Sequence, residues 1–397
     1  MSLLPDLLPR WLYSSFAGAM FFAAAMTATS SACASSLPGE PEANFIAGAD
    51  ASHVAFFESH GKVYREGGQP LDPFVILKNG GIDCIRLRLF TSSDAQAKRD
   101  EYNAINNLTY TVPLAVRVKK VGLQFLLDFH YSDTWADPTK QAKPETWKGL
   151  SFDQLEQRMY EYNRDCIAAF KKAGAMPDYV QIGNEITPGM VWPDGRVGGA
   201  FDKPEQWVQF GRLLKAALRG IKESASDAMP KIIVHIDRGG DWKTTQWFFD
   251  HLRDQHVEFD IIGESYYPFW HGGLDDLKTC LTSAAQRYQK PVVIAETAFP
   301  WNTSAQGSKA IVGIMPGKEG QIQFLQALAA ILKGIPEGRG LGIFYWAAEF
   351  LPLPGTNLAG FEGTSLFDSE GNALPALKAF GQLARPVAAL SAETPGK

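Results

Sequence analysis

Residues 179–185 read YVQIGNE, and residues 292–297 read VVIAET. Each stretch is a short apolar run that ends in polar residues, which is typical of a strand buried on both faces of a parallel sheet. Working outward from these two stretches, we find eight such runs: Phe45–Ala49, Ile82–Phe90, Leu123–Phe129, Tyr179–Gly183, Ile232–Ile236, Phe259–Gly263, Val292–Ala295 and Leu341–Trp346. The chain is therefore predicted to form eight parallel strands.

Amphipathic helical patterns separate the apolar runs. After the third run, apolar residues recur at helical spacing, and Ser151 and Gln154 form a capping box at the start of that pattern. No G-x-G-x-x-G turn follows the first run, as a dinucleotide-binding sheet would require. The alternation predicts an α/β protein that is a single-domain (β/α)8 TIM barrel over residues 44–385, with its active site at the carboxyl ends of the strands.

The first 34 residues have the pattern of a signal peptide. The apolar run Trp11–Met26 follows Arg10 and leads to Ala32-Cys33-Ala34, an A-x-A type cleavage site. The run is too short to span a bilayer comfortably, so we expect a secreted protein, extracellular or periplasmic, with no membrane association unless Cys33 is lipidated. Two further segments are predicted to be a flexible linker and a flexible C-terminal tail: residues 35–43 and residues 386–397.

Composition and charge restrict the class of partner. The 397 residues carry a formal net charge of −5, with a pI near 5.9, whereas a nucleic-acid partner requires a basic patch. Ten Trp and twelve Tyr are more than a core of this size needs, and flat aromatic faces suit sugar-binding clefts. We expect a monomer with no nucleic-acid partner. Cys84, Cys166 and Cys280 show no C-x-x-C pair, so neither a zinc site nor a disulfide framework is indicated, although one disulfide is left open.

Glu185 and Glu296 stand at the ends of the fourth and seventh runs. In a barrel, both would point into the mouth beside an apolar wall, which raises the pKa of one carboxyl while the other stays ionised. Retaining glycoside hydrolysis uses such a pair about 5 to 5.5 Å apart, with one acid protonating the leaving oxygen and one carboxylate attacking the anomeric carbon. Either residue alone could equally be a solvated strand end or an ion-pair partner, but their joint placement favours catalysis.

Other polar residues lie at the same strand ends. Asn184 is suited to hydrogen-bond a sugar 2-hydroxyl, with a strand-ending turn as the alternative. Arg86 and Arg88 are two residues apart on the second run, so both face the barrel interior. There they would keep Glu296 ionised or, alternatively, form a structural ion pair with Asp50.

Histidines and tyrosines also follow the apolar runs. His130 and His235 end the third and fifth runs, where they could hydrogen-bond sugar hydroxyls or the catalytic carboxylates, or be structural. After the sixth run, either Tyr266 or Tyr267 should place a phenol beside Glu296, and the sequence does not distinguish the two.

Tryptophans are predicted to supply sugar subsites. Trp346 closes the eighth run, where its flat ring could form the floor of the subsite beside the scissile bond. Four more lie in loops after the third, fourth, sixth and seventh runs: Trp135, Trp192, Trp270 and Trp301. Because all four loops belong to one rim, we expect some of these rings to line an open cleft.

Several longer segments resemble one enzyme family. The two strand-end glutamates are similar to those of a large clan of retaining barrel glycosidases. More narrowly, the chain resembles glycoside hydrolase family 53, the endo-β-1,4-galactanases, from about Phe45 to about Phe380. The matching segments are Gly48–Ser52 (GADAS), Ile85–Leu89 (IRLRL), Asp128–Pro138 (DFHYSDTWADP), Gln181–Ile186 (QIGNEI) with Gly189-Met190 and Trp192-Pro193, and Ser265–Pro268 (SYYP).

The resemblance implies residue roles and a substrate. Glu185 would protonate the glycosidic oxygen and Glu296 would form the glycosyl-enzyme intermediate. The substrate would be a polysaccharide, cleaved at internal β-1,4-galactosidic bonds in the galactan or arabinogalactan side chains of pectin. Bacterial members often carry an Asp- and Asn-rich calcium loop after the seventh strand, whereas residues 299–308 contain no carboxylate. Since hard cations need several anionic oxygen ligands, we predict no metal there and no cofactor.

Two alternative functions remain open at this point. A retaining endo-glycanase of the same clan could act on mannan or glucan, because the two glutamates and Asn184 are shared across the clan. A non-catalytic carbohydrate-binding barrel would keep the cleft without the chemistry, but such proteins lose a catalytic carboxylate. A metal-dependent hydrolase is disfavoured because no H-E-x-x-H motif is present.

Overall fold

The computed structural model describes residues 45–302 and 309–384. Its central strands, numbered β1 to β8 in chain order, are Ile46–Asp50, Cys84–Leu89, Gln124–Phe129, Tyr179–Ile182, Lys231–Ile236, Ile261–Ser265, Val292–Thr297 and Gly340–Tyr345. They form one closed barrel in the order β1-β8-β7-β6-β5-β4-β3-β2, with every neighbouring pair parallel. The predicted (β/α)8 barrel is confirmed.

Helices connect the strands around the outside. In the described ranges, helices α1 to α11 are Val54–Ser59, Pro73–Asn79, Asp94–Arg99, Glu101–Ala104, Leu108–Val121, Phe152–Lys172, Pro204–Ala225, Trp242–Asp254, Leu274–Tyr288, Lys318–Lys333 and Pro375–Ala384. The predicted capping box is present at α6, where Ser151 Oγ accepts from Gln154 N and Gln154 Oε1 accepts from Ser151 N. The loops also contain two short antiparallel hairpins, at residues 65–70 and 189–196.

Two apolar layers hold the strands in place. Outward-facing residues such as Ile85, Leu87 and Leu89 are fully buried against the helices. A smaller cluster fills the inside of the barrel: Ile46, Cys84, Leu126, Ile233, Ile261, Val293, Ala295 and Phe344. Because this inner cluster excludes water, it forms a low-dielectric floor beneath whatever lies at the carboxyl ends of the strands.

Polar residues occupy the inner face above that floor. Side chains alternate between the two faces of a strand, so Arg86 and Arg88 follow Cys84 on the inside of β2. On the neighbouring strand β3, Asp128 is level with Arg88, and on β4 Gln181 is level with Asp128. All of these polar side chains are buried. The fold therefore concentrates charged groups at one end of an apolar barrel.

The strand ends differ slightly from the predicted boundaries. Strand β4 stops at Ile182, because Gly183 has a φ of 94° and Glu185 a φ of 49°, both incompatible with an extended strand. Strand β7 continues to Thr297, so Glu296 is itself a strand residue. The first carboxylate is thus held by a turn and the second by a sheet.

Some predictions fall outside the described residues. These are the signal peptide (1–34), the linker (35–43) and the C-terminal tail (386–397). No helix within 45–302 and 309–384 combines the length and apolar character that crossing a membrane requires. The cysteines in those ranges, Cys84, Cys166 and Cys280, are buried free thiols, so the disulfide that the sequence left open does not form among them.

Candidate active site

A cavity of about 620 Å³ lies over the carboxyl ends of the strands. Its lining includes residues within or after every strand from β2 to β8. The predicted site residues among them are Arg88, His130, Trp135, Asn184, Glu185, Tyr267, Trp270, Glu296 and Trp346. The structure therefore brings together side chains that are as far apart in sequence as Arg88 and Trp346.

Glu185 lies in the turn after β4. Its positive φ directs the half-buried side chain into the cavity, and its Oε1 accepts a 2.7 Å hydrogen bond from Ser265 Oγ. Burial raises the pKa of Glu185 well above its ordinary value, and the negative charges of Glu296 and Asp237 act in the same direction. This carboxyl is therefore suited to remain protonated.

Glu296 lies near the end of β7 and is 6% exposed. Its Oε1 is 2.8 Å from Arg86 Nη1, and its Oε2 accepts a 3.1 Å hydrogen bond from Tyr267 Oη. Burial raises the pKa of Glu296 to about 7, while Arg86 opposes that effect. Both oxygens are thus held in place by groups that favour the ionised form.

The two carboxyls differ in their tendency to ionise. Only Glu296 has a guanidinium in direct contact, whereas burial and the charge of Glu296 both raise the pKa of Glu185 well above its ordinary value. When one of two coupled carboxyls ionises, its charge keeps the second protonated to higher pH. Glu296 therefore loses its proton first, which leaves one carboxylate and one carboxylic acid facing the same cavity.

We predict a bell-shaped pH dependence of kcat/KM that is displaced to high pH. Activity should fall as the pH drops below about 7, because Glu296 must be ionised to act as a nucleophile. It should fall again above the raised pKa of Glu185, because the general acid must be protonated. Initial rates across the pH range would show this; an acid limb near the ordinary carboxyl value would contradict the effect of burial on Glu296.

Arg86 is the centre of a buried ionic network. Its side chain is fully buried, with Nη1 3.0 Å from Asp50 Oδ2 and Nη2 2.8 Å from Asp128 Oδ2. Nη2 also donates to Asn184 Oδ1 at 2.8 Å, and Nε donates to Gln181 Oε1 at 3.2 Å. The two alternatives raised from the sequence, support of Glu296 and a structural ion pair with Asp50, are both present in one side chain.

Arg86→Met should strongly destabilise the fold. Loss of the guanidinium leaves the buried Asp128 and Glu296 without an arginine partner and Asp50 with Arg88 alone, and breaking such a network costs about 3–5 kcal/mol. The pKa of Glu296 should also rise, moving the acid limb of the pH profile upward. Denaturant unfolding measures the first effect and pH-dependent rates the second.

Arg117→Met is the matched control for that variant. Arg117 also pairs with two carboxylates, those of Glu58 and Asp72, but all three side chains are about one-third exposed. Exposed pairs contribute only about 0–1 kcal/mol. Equal destabilisation by the two substitutions would contradict the importance assigned to burial around Arg86.

Arg88 supports an aromatic wall of the cavity. Its Nη1 is 3.1 Å from Asp50 Oδ1 and its Nη2 is 2.5 Å from His53 Nδ1. The guanidinium lies 4.3 Å from the ring centroid of Trp135, and the His53 ring stacks on the same indole at 5.5 Å. Trp346 completes this wall, and its ring centroid lies 6.2 Å from that of Trp135. The wall presents flat apolar faces of the kind that pack against sugar rings.

Asn184 and His130 occupy the floor between the carboxylates and that wall. Asn184 Oδ1 accepts from Arg86, while Nδ2 donates to Ala136 O at 2.9 Å. His130 Nε2 is 3.0 Å from Asp128 Oδ2, and its Nδ1 accepts from Ala136 N at 3.0 Å. Burial lowers the pKa of His130, and the attraction of Asp128 only partly opposes that effect. Both side chains are fixed by protein contacts before any ligand binds.

The structure distinguishes the two candidate tyrosines. Tyr267 Oη donates to Glu296 Oε2, whereas Tyr266 Oη donates to Gly272 O at 3.0 Å and its ring stacks with Phe324 of α10. Tyr267 therefore supplies the phenol beside Glu296. Tyr266 packs between the barrel and its helices.

Six predicted site residues do not line the cavity: Arg86 and Tyr266, described above, and Asp50, His235, Trp192 and Trp301. Asp50 and His235 are fully buried and contact the cavity residues Arg88 and Asn184, each at 3.1 Å. Trp192 is covered on one face by Arg196 at 4.1 Å, and Trp301 N donates to Gly363 O in a neighbouring loop. Neither of these two rings is among the described residues that line the cavity, so their assignment to sugar subsites stays a prediction.

Sequence reasoning also missed several cavity residues. Asp237 follows β5 and accepts from Thr187 Oγ1 at 2.5 Å; its position after an apolar run was the same signal that identified Glu185. Tyr102 lies in the short helix α4 and Phe361 begins a 3-10 helix after β8, and no periodicity in the sequence predicts the path of either segment. Ser265 lies behind the lining and carries no charge, so nothing in the sequence indicated its contact with Glu185.

Metal ligation has little support in the described part of the chain. No group of three or more His, Cys, Asp or Glu residues within 45–302 and 309–384 has the geometry to hold a metal ion. Residues 303–308 of the loop that was compared with the calcium site lie outside those ranges.

Comparison with known proteins identifies the family. The sequence profile of glycosyl hydrolase family 53 matches residues 46–380. An arabinogalactan endo-β-1,4-galactanase of Thermothelomyces thermophilus is 33% identical, covering 85% of this chain and 98% of that protein, and an uncharacterised protein of Niallia circulans is 43% identical, covering 78% and 85%. The solved catalytic domain of a family 53 protein from Ignisphaera aggregans is 36% identical with a TM-score of 0.76, covering 88% of this chain and 98% of that domain. The chain belongs to glycosyl hydrolase family 53.

Proposed function

We propose that this protein is a retaining endo-β-1,4-galactanase in which Glu185 is the general acid/base and Glu296 the nucleophile. The observation that carries the proposal is the asymmetry of the two carboxyls in one cavity. Glu296 is paired with Arg86 and Tyr267, whereas Glu185 has a serine donor and no guanidinium in contact, and burial raises its pKa well above the ordinary value.

The arrangement supports a double-displacement reaction. In the first step, Glu185 transfers its proton to the glycosidic oxygen while Glu296 attacks the anomeric carbon and forms a covalent ester. In the second step, Glu185, now a carboxylate, takes a proton from a water molecule that displaces Glu296. Arg86 and Tyr267 hold the nucleophile in place during both steps.

The surroundings of the carboxyls favour a sugar chain as substrate. The wall formed by Trp135 and Trp346 lies across the cavity, and Trp270 at the rim is 69% exposed. An exposed indole at the mouth of a cleft gives a sugar ring a flat apolar face to pack on. Asn184, with one amide hydrogen already donated to Ala136 O, retains a second for a hydroxyl of the bound sugar.

The choice of galactan rests on similarity to named relatives. The Thermothelomyces thermophilus protein carries that activity in its name and aligns over most of both chains. We propose the galactan or arabinogalactan side chains of pectin as the substrate. We also propose that the protein is exported, because residues 1–34 have the pattern of a signal peptide.

The test compares reducing-sugar release from linear β-1,4-galactan, mannan and carboxymethyl-cellulose. The proteins are the wild type, Glu185→Gln and Glu296→Gln. We expect the wild type to degrade galactan alone and both variants to lose most of that activity. Turnover of mannan or cellulose instead would keep the mechanism and overturn the substrate, whereas binding of sugars without turnover at any pH would indicate a carbohydrate-binding barrel.

A further inference from the structure

Ser265 stands between Glu185 and a buried histidine. Its Oγ is 2.7 Å from Glu185 Oε1 and 2.9 Å from His235 Nε2. Both Ser265 and His235 have no exposed surface, and neither is among the described residues that line the cavity. His235 therefore reaches Glu185 through the Ser265 hydroxyl, while its Nδ1 lies 3.1 Å from Oδ1 of the cavity residue Asn184.

Gln181 fixes the other side of the imidazole. Its Nε2 lies 3.0 Å from His235 Nδ1. The amide has only one consistent orientation, because its Oε1 accepts from Arg86 Nε and its Nε2 donates to Asp128 Oδ1 at 2.5 Å. Arginine can only donate and an ionised carboxylate can only accept. His235 Nδ1 thus faces an N–H donor, nearer to it than Gly183 O and Asn184 Oδ1, each 3.2 Å from the same amide nitrogen, and is suited to accept.

The alternative tautomer fails once Glu185 has lost its proton. Burial, reinforced by Arg86, lowers the pKa of His235 well below its ordinary value, so the ring carries one hydrogen. If that hydrogen were on Nδ1, it could go to Asn184 Oδ1 at 3.1 Å. Ser265 would then turn its own hydrogen towards Nε2, and the Glu185 carboxylate would lose its donor. Only the tautomer with hydrogen on Nε2 serves both protonation states.

We propose that Ser265, oriented by His235, is a positioning residue that keeps Oε1 of Glu185 an acceptor, so that the transferable proton is carried on Oε2. The inference rests on the proposed role of Glu185 as general acid. In the first step, the Oε2–H bond breaks, the proton binds the leaving oxygen, and that oxygen keeps the electron pair of the broken glycosidic bond. The Ser265 hydrogen bond then stabilises the new carboxylate, whose Oε2 later takes a proton from water.

The first test measures ionisation of Glu185 without any substrate. A ¹³C NMR titration of the Glu185 carboxyl, assigned with Glu185→Gln, is compared between wild type and Ser265→Ala. A donor to the charged form favours that form, so removing it should raise the pKa by about one unit. The substitution leaves the charged neighbours Glu296, Asp237 and Arg86 and the Tyr267 phenol unchanged, so the shift reports the lost hydrogen bond.

The second test uses the dependence of rate on the leaving group. Ser265→Ala should slow galactan hydrolysis about tenfold, because the leaving sugar of galactan needs protonation. The first step with a dinitrophenyl β-galactoside should scarcely change, because dinitrophenolate leaves without protonation. His235→Phe should also slow galactan hydrolysis more than the first step with the dinitrophenyl substrate. His235→Gln retains an N–H near the position of Nε2, so it should slow galactan hydrolysis less than His235→Phe does. If Ser265→Ala fails to fold, the comparison of His235→Phe with His235→Gln provides the test.

Ser92→Ala is the matched control. Ser92 is also a buried hydroxyl with one short bond, to Ala104 O at 2.6 Å, and it lies outside the cavity lining. It should change neither the pKa of Glu185 nor the leaving-group dependence. An unchanged Glu185 pKa in Ser265→Ala, or equal slowing of both substrates, would overturn the inference. A raised pKa in a protein that hydrolyses no galactoside would retain the hydrogen-bond assignment and reject the proposed function instead.

Discussion

Glu296→Ala should reduce hydrolysis of galactan by roughly 10⁴-fold or more, as is usual when the nucleophile of a covalent mechanism is removed. The variant has no atom placed to attack the anomeric carbon, and Arg86 and Tyr267 lose their shared partner. Added azide should restore cleavage of a dinitrophenyl β-galactoside, because a small anion can enter the vacated space. The product should be the α-glycosyl azide, detected by NMR.

Glu264→Gln provides the control for that variant. Glu264 is also a fully buried glutamate near the end of a strand, but its oxygens accept from Thr245 Oγ1 and Arg238 N on the helix side of β6. It should keep activity within about tenfold of wild type, since it contacts neither carboxyl of the site. A loss in Glu264→Gln as large as in Glu296→Ala would mean that the assay reports misfolding.

Glu185→Ala should produce a loss that depends on the leaving group. Removing a general acid costs about 10²–10⁴-fold, and the full effect should appear with galactan, whose leaving sugar is a poor one. With a dinitrophenyl β-galactoside, the first step should proceed and the glycosyl-enzyme should accumulate, since the base for the second step is missing. Pre-steady-state kinetics should show a burst of dinitrophenol followed by a slow steady state.

Azide again separates the roles of the two carboxyls. In Glu185→Ala, it should attack the accumulated intermediate from the face opposite Glu296 and yield the β-glycosyl azide. The opposite anomers from the two variants would assign the residues without reference to absolute rates. If both variants gave the same anomer, the assignment of acid/base and nucleophile would be wrong.

The barrel was predictable because its signals are local. Each strand is a short apolar run with inside and outside positions alternating, and this alone placed Arg86 and Arg88 inside the barrel and Leu87 outside. Since the strand ends of a barrel meet at one rim, the closeness of Glu185 and Glu296 followed without knowledge of any contact.

The finer features of the site depend on register and loop paths. Ser265 reaches Glu185 across 80 residues of sequence, and the pairing of β6 with β7 shifts register between Glu264 and Ser265. No periodicity reports such a shift. The same strand end decides that Tyr267 rather than Tyr266 meets Glu296.

The loop tryptophans show where sequence reasoning stops. Trp135 lies on the cavity wall because Arg88 and His53 pack against its ring, whereas the ring of Trp192 is covered by Arg196. Both residues looked alike in the sequence, as single indoles in loops at one rim. Their difference comes from side chains elsewhere in the chain, which a local pattern does not contain.

The most direct test of the central claim is mass spectrometry of the trapped intermediate. A 2-deoxy-2-fluoro galactobioside with a dinitrophenyl leaving group forms the glycosyl-enzyme but slows its hydrolysis, because fluorine destabilises the positively charged transition state. Peptide mapping should then place one fluoro-galactobiosyl group on Glu296. Labelling of Glu185 or another carboxylate, or turnover of galactan with inversion and no label, would contradict the assignment of Glu296 as the nucleophile.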